Sequence, residues 1–296
     1  MARRRLARQE RQTAGTKQTF ERIEFNRAAG RGLDILTAFT AGDQFLGNAE
    51  IAHRTGIPRS TVSRITATLT ELGYLNYADQ IGKYEIGPRV LALSYSLMSK
   101  LRVHTLARPL MEELARESNA IVGLSMLDGL NVVFVESALG DRPYSQQPQV
   151  GFRVPIAFTS MGWSCLSVMN VNDRTETLRR IEEAYPDKAA EIRRNVQQAI
   201  ADIWQRGFCL SLGALEPGSN AVGVPYLHPD GRHILAFNMT APNTVLTRKS
   251  IETRWGPRLV KLVQQLRSTG PSGLPAESRA TGGTRRAATS MDRGQR

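Results

Sequence analysis

Residues 51–75, IAHRTGIPRSTVSRITATLTELGYL, are the stretch that most limits how this chain can fold. A short helical pattern stops at Gly56, and a second one begins at Pro58. Proline is favourable at the start of a helix, because the N–H group that it lacks would have no intrahelical acceptor there. Apolar residues recur in the second pattern at intervals of three, four and three, which is typical of a helix with one buried face. They are Val62, Ile65, Leu69 and Leu72. Two short helices joined by a glycine-containing turn predict a helix-turn-helix.

The opposite face of the second helix carries polar side chains on its first two turns. They are Arg59, Ser60, Thr61, Ser63 and Arg64. A recognition helix needs donors near its N-terminus that enter the major groove, where guanidinium groups reach guanine edges or phosphates and hydroxyl groups bond phosphates. We therefore predict that these five residues bind double-stranded DNA. Because helix-turn-helix spacing alone is only moderately specific, two ordinary surface helices are the alternative.

The segments that flank this motif support the DNA-binding interpretation. Two β-like runs, residues 74–78 and 83–86, surround a polar turn that ends in a glycine. A hairpin directly after a recognition helix forms a wing, on which we predict that Lys83 meets a phosphate or the minor groove. A first helix is predicted before the motif, with four apolar residues on one face. They are Leu33, Ile35, Leu36 and Phe39.

The net charge of +12 is concentrated at the ends of the chain. The first 31 residues hold nine Lys or Arg and three Asp or Glu, which indicates contact with a polyanion. Residues 1–25 and 268–296 have no sustained apolar period, and we expect both to be disordered tails. With two cysteines and no apolar run of membrane-spanning length, the chain is predicted to be cytoplasmic, without a membrane partner.

From Ala120 onward short strands alternate with helices. Turn sequences at residues 128–131 and 229–231 separate pairs of β-like runs, which predicts two hairpins. Helical patterns are predicted at residues 160–169, 173–184, 187–206 and 247–268. The combination predicts an α+β fold.

Three runs in residues 26–101 resemble the N-terminal domain of the IclR (isocitrate lyase regulator) family of bacterial transcription factors. They are GRGLDIL, EIAHRTGIPRSTVSRITATLTELGYL and YEIGPRVLAL. Further on, VPIAFTSMGWSCLS and QRGFCLSLGALEPGSNAVGVPYLHPDGRHILAFNMTAP resemble the effector domain of the same family. The resemblance covers residues 26–267, and the motifs occur in the order typical of the family.

The resemblance implies an N-terminal winged helix-turn-helix, a linker helix and a C-terminal GAF-like effector-binding domain. The corresponding ranges are residues 26–88, 89–105 and 106–267, between the tails 1–25 and 268–296. It also implies a non-enzymatic regulator that binds operator DNA as a homodimer or homotetramer and represses or activates a catabolic operon. Its effector would be a small organic molecule, aromatic or a carboxylic acid, and no cofactor or metal is expected.

By position in the family's motifs, the effector pocket is expected at Ser160 and Met161, at Ser211, and at Asn238 and Thr240. A helix that begins at Ser160 would offer free N–H groups to a carboxylate. Asn238 and Thr240 lie two residues apart on a predicted strand and therefore share a face. A solvent-exposed face is the alternative, because antiparallel sheets often have one.

Two positions depart from the pattern of the family. Trp163 stands where Lys or Arg is usual, and Ala214 stands where an acidic residue is often found. Loss of both charges is consistent with a lost ion pair and leaves the ligand class open. Trp163 and Met161 close to the pocket favour an aromatic or fairly apolar ligand.

Two other classes of function compete with this one. An enzyme is disfavoured because the sequence has no nucleophile elbow or glycine-rich phosphate loop after a strand, and Cys209 lies in a pattern typical of a core. The four histidines, His53, His104, His228 and His233, show no metal-ligand spacing with cysteine or acidic partners. The second alternative is a DNA-binding protein whose C-terminal domain only oligomerises, without a small-molecule effector.

Overall fold

The computed structural model describes residues 25–40, 42–141 and 148–269, and the chain divides into two compact units between Arg102 and Val103. The tail predicted for residues 1–25 lies outside the described residues except for Phe25, and the tail predicted for residues 268–296 lies outside them beyond residue 269. None of the described helices is both long and apolar enough to cross a membrane.

The first unit begins with three helices: α1 (Arg27–Thr37), α2 (Asn48–Thr55) and α3 (Arg59–Glu71). The side-chain oxygen of Asn26 caps α1 by accepting from the N–H groups of Ala28 and Ala29. Helix α2 ends at Gly56, whose φ of 67° is a left-handed conformation that glycine adopts without strain. Pro58 is the N-cap of α3, one residue before the helix itself.

The three helices and the wing that follows them share one core. Its buried residues are Ile35, Leu46, Ile51, Ile57, Val62, Leu69, Leu75 and Tyr84. The predicted buried face of α1 is wrong at Leu33, which is 63% exposed, because two helical residues turn its side chain about 200° away from that of Ile35. The predicted stripe of α3 is wrong at Leu72, which is exposed and lies one residue past the end of the helix.

A two-stranded antiparallel wing follows α3, with β1 (Leu75–Ala78) paired to β2 (Lys83–Ile86). Leu46 forms a β-bridge with Tyr84, which ties the loop before α2 to the wing. The next helix is α4 (Arg89–Met98), and it buries none of its residues. The linker helix predicted for residues 89–105 is therefore shorter than expected, and Val103 already belongs to the following helix.

The second unit is built on an antiparallel sheet of six strands in the order β5-β4-β3-β8-β7-β6. The strands are β3 (Ile121–Asp128), β4 (Asn131–Ala138), β5 (Arg153–Pro155), β6 (Cys209–Leu212), β7 (Ser219–Leu227) and β8 (Ile234–Pro242). Central strands β3 and β8 pair in register from Ile121–Thr240 to Met126–Leu235. Together with the helix-turn-helix unit, this sheet and its helices confirm the predicted α+β class.

Helices lie on both faces of this sheet. They are α5 (Val103–Ser118), α6 (Ser160–Val168), α7 (Val171–Ala184), α8 (Ala189–Arg206), the short α9 (Arg248–Ser250) and α10 (Gly256–Thr269), with a π-helical segment at Ile251–Trp255. Helix α6 packs on β7 and β8 and is covered by α8. The core between these helices and the sheet includes Phe134 and Ala236 of the strands. The alternate sheet residues, such as Val222 and Phe237, are buried on the opposite face, where α5 and α10 contact the strands.

Candidate functional site

The first candidate site is the solvent-facing side of α3. Val62, Thr66 and Leu69 are buried toward α1 and α2, and the hydroxyl of Thr66 donates to the side-chain oxygen of Asn48 on α2 at 3.2 Å. The other side of the helix faces solvent. Of the residues predicted there, Arg59, Ser60, Ser63 and Arg64 are exposed and Thr61 is half-buried.

Arg59 and Arg64 are the two cations on this face, and neither forms an ion pair with a residue that the structure describes. Their guanidinium groups are consequently free to meet an outside anion. Because the opposite side of α3 is anchored in the core, the helix presents these groups on a fixed support.

A bidentate ion pair that the sequence analysis missed braces α2. The two terminal nitrogens of Arg54 lie 2.5 and 2.8 Å from the carboxylate oxygens of Asp43, and one of them also donates to the carbonyl oxygen of Ala38 at 2.9 Å. Hydrogen bonds from Arg54 and from Thr40 hold the pKa of Asp43 well below its usual range. Arg54 therefore holds the loop between α1 and α2 and is not a free cation.

Lys83, predicted as a wing contact to DNA, lies at the start of β2 and pairs with Glu50. Its ammonium nitrogen is 3.1 Å from Glu50 Oε2. The same carboxylate oxygen accepts the backbone N–H of Gly47 at 2.7 Å, and that bond and Lys83 lower the pKa of Glu50. The structure thus joins Lys83 to the N-terminus of α2, whereas Arg59 and Arg64 stay unpaired.

The second candidate site is a cavity of about 680 Å³ in the second unit. The five residues predicted for the effector pocket, Ser160, Met161, Ser211, Asn238 and Thr240, all line it. Apolar side chains that the sequence analysis did not single out make up much of the remaining wall. They are Ile121, Phe134, Phe152, Val154, Phe158 and Leu215. Its size and its mostly apolar wall are those of a small-molecule site.

The polar groups of the cavity differ in how well they are satisfied. Ser211 Oγ donates to the carbonyl oxygen of Phe158, and Thr240 Oγ1 donates to that of Asn220, each at 3.3 Å. By contrast, Ser160 Oγ and Asn238 Oδ1 are buried without a hydrogen-bond partner among the described residues. Buried polar atoms are nearly always paired, so these two atoms mark where a ligand or a water would bind.

The N-terminus of α6 adds backbone donors to the same wall. Thr159 caps the helix, because its Oγ1 accepts from the N–H of Gly162 and its carbonyl oxygen accepts from the N–H of Trp163. The N–H groups of Ser160 and Met161 have no acceptor among the described residues. Free amides at a helix N-terminus favour an anion such as a carboxylate.

Trp163 and Ala214 do not line this cavity. Trp163 is buried in the core beneath α6, where its indole N–H donates to the carbonyl oxygen of Ala157 at 2.9 Å, and Ala214 packs against the same core. The expectation that Trp163 lies close to the pocket and favours an aromatic ligand is therefore wrong. The aromatic character of the wall comes from the phenylalanines named above, which reach it from β4, from the residue before β5 and from the turn before α6.

Both cysteines are buried core residues. Burial raises the pKa of the two thiols, that of Cys209 to about 12. Cys209 Sγ lies 3.5 Å from Ser164 Oγ and from the carbonyl oxygen of Ser160. A buried thiol with a raised pKa is inert, so Cys209 has the environment of a structural residue.

The four histidines show no metal-ligand spacing along the sequence, but the fold brings two of them together with a carboxylate. His228, Asp230 and His233 converge at the turn between β7 and β8, with one potential ligand atom from each within 4.8 Å of the others. Partial burial would raise the pKa of Asp230, but hydrogen bonds from the N–H groups of Arg232 and His233 and from the imidazoles outweigh it, and the pKa lies well below its usual range.

Comparison with known proteins gives matches over both units. The family model of the IclR helix-turn-helix domain matches residues 28–79, and that of the bacterial transcriptional regulator IclR C-terminal domain matches residues 95–268. The HTH-type transcriptional regulator TsaQ1/TsaQ2 of Comamonas testosteroni is 30% identical over 83% of this chain and 88% of that protein. The Pca regulon regulatory protein of Pseudomonas putida is 28% identical over 82% and 84% of the two chains. A crystal structure of an IclR family transcriptional regulator from Brucella abortus, 37% identical, matches 85% of this chain and 95% of that one with a TM-score of 0.71.

Proposed function

This chain belongs to the IclR family of bacterial transcriptional regulators, and from that premise we propose that it binds operator DNA through α3 and alters that binding when a small organic acid enters the cavity of its C-terminal domain. DNA binding and transcription regulation follow from the family. The contact residues, the effector, control of a catabolic operon and the assembly state are the proposal.

The DNA-binding part rests on the two faces of α3. Arg59 and Arg64 contact base edges or phosphates, since both are exposed and neither is neutralised by a carboxylate in the described chain. Ser60, Thr61 and Ser63 let the backbone approach and bond phosphates. Lys83 contacts a phosphate at the edge of the interface, where the phosphate competes with Glu50 for the lysine ammonium group.

The effector part rests on one observation, the two unpartnered polar atoms in the wall of an otherwise mostly apolar cavity. The described wall contains no Lys, Arg or His, so a carboxylate would bind to the N–H groups of Ser160 and Met161 and to the helix dipole. The phenylalanine side chains would hold an aromatic or apolar body. Asn238 Oδ1 can only accept a hydrogen bond, so it calls for a donor on the ligand, such as a hydroxyl.

The alternative is a C-terminal domain that only oligomerises. In such a domain the cavity of ligand size would leave Ser160 Oγ and Asn238 Oδ1 without partners and gain nothing in return. Each unpaired buried atom destabilises the fold by about 1–3 kcal/mol. A ligand that pairs them recovers that free energy on binding. This balance favours the sensing role.

Assembly as a homo-oligomer is supported by α4, which exposes apolar side chains along its length. Leu91 is 72% exposed and Tyr95 is 71% exposed, and Leu93 is also exposed. Leu91 and Tyr95 lie one turn apart on the same face. We propose that a second copy of the chain covers this face, which would present two recognition helices to a palindromic operator.

Two linked measurements test the proposal. First, the full-length protein selects duplexes from a random DNA pool, and we expect one enriched, repeated or palindromic sequence. Second, thermal unfolding is followed with benzoate, 4-hydroxybenzoate, 4-methoxybenzoate and pyruvate, and every compound that raises the unfolding temperature is tested for its effect on affinity for the selected duplex at fixed salt, since a ligand stabilises the state that it binds.

A compound that both stabilises the protein and changes DNA affinity supports the sensing role. If the protein selects a sequence but no acid in the set changes either quantity, the effector part fails as stated and the oligomerising alternative takes its place. If no sequence is enriched, the assignment of α3 as the recognition helix is wrong.

A further inference from the structure

The turn between β7 and β8 brings two imidazole rings to the same side of a hairpin. His228 and His233 face each other across it, and the backbone N–H of His228 donates to the carbonyl oxygen of His233 at 3.0 Å. Opposed residues of an antiparallel pair have neighbouring side chains. The two ring centres are 6.0 Å apart and the ring planes are nearly perpendicular, at 86°.

Asp230, at the tip of the turn, completes the cluster. Its Oδ1 accepts the backbone N–H groups of Arg232 at 2.8 Å and His233 at 3.1 Å, which fixes the orientation of the carboxylate. The other oxygen, Oδ2, lies 3.1 Å from His228 Nδ1 and 2.5 Å from His233 Nδ1. Three different ligand atoms thus converge, and the carboxylate is held by the backbone independently of the imidazoles.

No single protonation state of His228 satisfies both contacts of its Nδ1. The backbone N–H of Asp230 points to this nitrogen at 3.4 Å, so Nδ1 must accept there, whereas it must donate to bond with Oδ2 of the same residue. An imidazole nitrogen cannot do both in one tautomer. A cation bound by both Nδ1 and Oδ2 takes the place of a proton between them, because each atom then gives a lone pair to the cation, and only the long 3.4 Å contact from the N–H of Asp230 is given up.

We propose that His228, Asp230 and His233 bind one divalent transition-metal cation, Zn²⁺ or a first-row ion of similar preference, through His228 Nδ1, His233 Nδ1 and Asp230 Oδ2. Two imidazoles and one carboxylate suit Zn²⁺, Ni²⁺, Co²⁺ and Cu²⁺, whereas Mg²⁺ and Ca²⁺ prefer oxygen ligands throughout. The cluster lies at a partly exposed turn, so water completes the coordination.

This site is separate from the proposed effector cavity. The turn follows the end of β7 and precedes Ile234, whereas Asn238 and Thr240 line the cavity farther along β8. The four residue steps along β8 from Ile234 to Asn238 span roughly 13 Å. Metal binding and effector binding are therefore distinguishable by mutation, and the metal proposal does not depend on the proposed function.

The test uses the full-length, tag-free protein after removal of metals with a chelator. Titration with ZnCl₂ is followed by calorimetry, with MgCl₂ as the comparison cation. We expect one Zn²⁺ per chain and no measurable Mg²⁺ binding. Asp230→Asn is the most informative variant, because an asparagine oxygen still accepts from Arg232 and His233 and so keeps the turn while the charged ligand is lost. His228→Gln and His233→Gln remove one nitrogen ligand each.

Each of the three variants should weaken Zn²⁺ binding at least about tenfold. His53→Gln and His104→Gln, which alter the two histidines outside the cluster, should leave it unchanged. Cu²⁺ added to the wild-type protein should give an electron paramagnetic resonance spectrum with two nitrogen ligands, reduced to one in His233→Gln. Absence of a stoichiometric site in the wild type, or equal Zn²⁺ affinity in the wild type and the three cluster variants, overturns the proposal.

Discussion

Gly123 and Asn238 face each other across the β3–β8 ladder, and the absence of a side chain at Gly123 makes room for the Asn238 amide. A Cβ at Gly123 would lie 2.5 Å from Asn238 Oδ1 and 2.5 Å from the ring of Phe134. On β7, Gly223 also pairs with Asn238, and a Cβ there would lie 2.4 Å from the carbonyl oxygen of Ser160. Two glycines therefore set the positions of both residues that carry the unpartnered polar atoms of the cavity.

Gly123→Ala should damage the cavity more than its small size suggests. The added methyl group must displace the Asn238 amide and the Phe134 ring together, and overpacking of this kind is destabilising by about 1–3 kcal/mol. We expect a lower free energy of unfolding in urea and loss of the thermal shift given by whichever aromatic acid stabilises the wild type. Gly42→Ala, at a glycine with open space around it, is the control. An unchanged ligand shift in Gly123→Ala would show that the Asn238 amide is not part of the binding site.

Asn238→Leu should separate stability from ligand response. The substitution removes a buried carbonyl oxygen that has no partner in the described chain, so we expect the ligand-free protein to gain about 1–3 kcal/mol of unfolding free energy. The same variant should lose its response to 4-hydroxybenzoate if that acid binds the wild type. Asn220→Leu is the matched control on β7, because the Asn220 amide already donates to the carbonyl oxygen of Leu246 at 2.9 Å, and we expect that variant to be destabilised.

Arg64→Ala should weaken DNA binding without a change in folding. If Arg64 contacts a base edge, affinity for the selected duplex should fall by about 1–3 kcal/mol, and only for that sequence. If it contacts a phosphate, affinity should fall for all duplexes, with a shallower dependence on salt. Affinities are measured by fluorescence anisotropy at several salt concentrations. Arg194→Ala, an exposed arginine of the second unit, is the control, and equal affinities of the two variants would argue against the recognition helix.

Features that depend on short segments could be predicted from the sequence, whereas contacts between residues far apart in the chain could not. The helix-turn-helix and its wing were predictable because the periodicity of Val62, Ile65 and Leu69 and the neighbouring turns are properties of short segments. Leu33 departs from the predicted buried face because residues i and i+2 of a helix point about 200° apart, so it cannot share a face with Ile35. The partner of Lys83 could not be predicted, since Glu50 lies 33 residues earlier in the chain.

Resemblance to the family and alternation on β8 predict polar residues of the effector cavity and one apolar residue, Met161. Its aromatic wall could not be read from the sequence, because Phe134, Phe152 and Phe158 come from separate segments with no shared pattern. The cluster at the β7–β8 turn was missed for a different reason. Asp230 stands two residues after His228 and three before His233, and only the hairpin turn brings the three side chains together.

Leu91→Lys combined with Tyr95→Lys should dissociate the assembly if a second copy covers α4. Two charges on that face would have to be buried without partners, which strongly opposes association. Sedimentation velocity on the wild type and the variant should show a decrease in mass, accompanied by weaker binding to a two-half-site duplex. Trp204→Lys, at an exposed residue of α8, is the control for contacts elsewhere. A variant with the wild-type mass would place the interface outside α4.

The Asp43–Arg54 pair should make the first unit sensitive to acid in a defined direction. The pKa of Asp43 in the folded chain lies below its unfolded value of about 3.9. The ion pair therefore stabilises the fold fully when the pH is above that unfolded pKa, and this stabilisation is lost as the pH falls from there through the folded pKa. Asp43→Asn removes this contribution at neutral pH. We expect faster amide hydrogen exchange than in the wild type for residues 44–56 at pH 7, and a difference that narrows below pH ~4 when the two proteins are compared at matched pH. Asp79→Asn, which alters an exposed carboxylate in the wing turn, should exchange like the wild type throughout. Equal exchange of Asp43→Asn and wild type at pH 7 would mean that the loop is held by its other contacts.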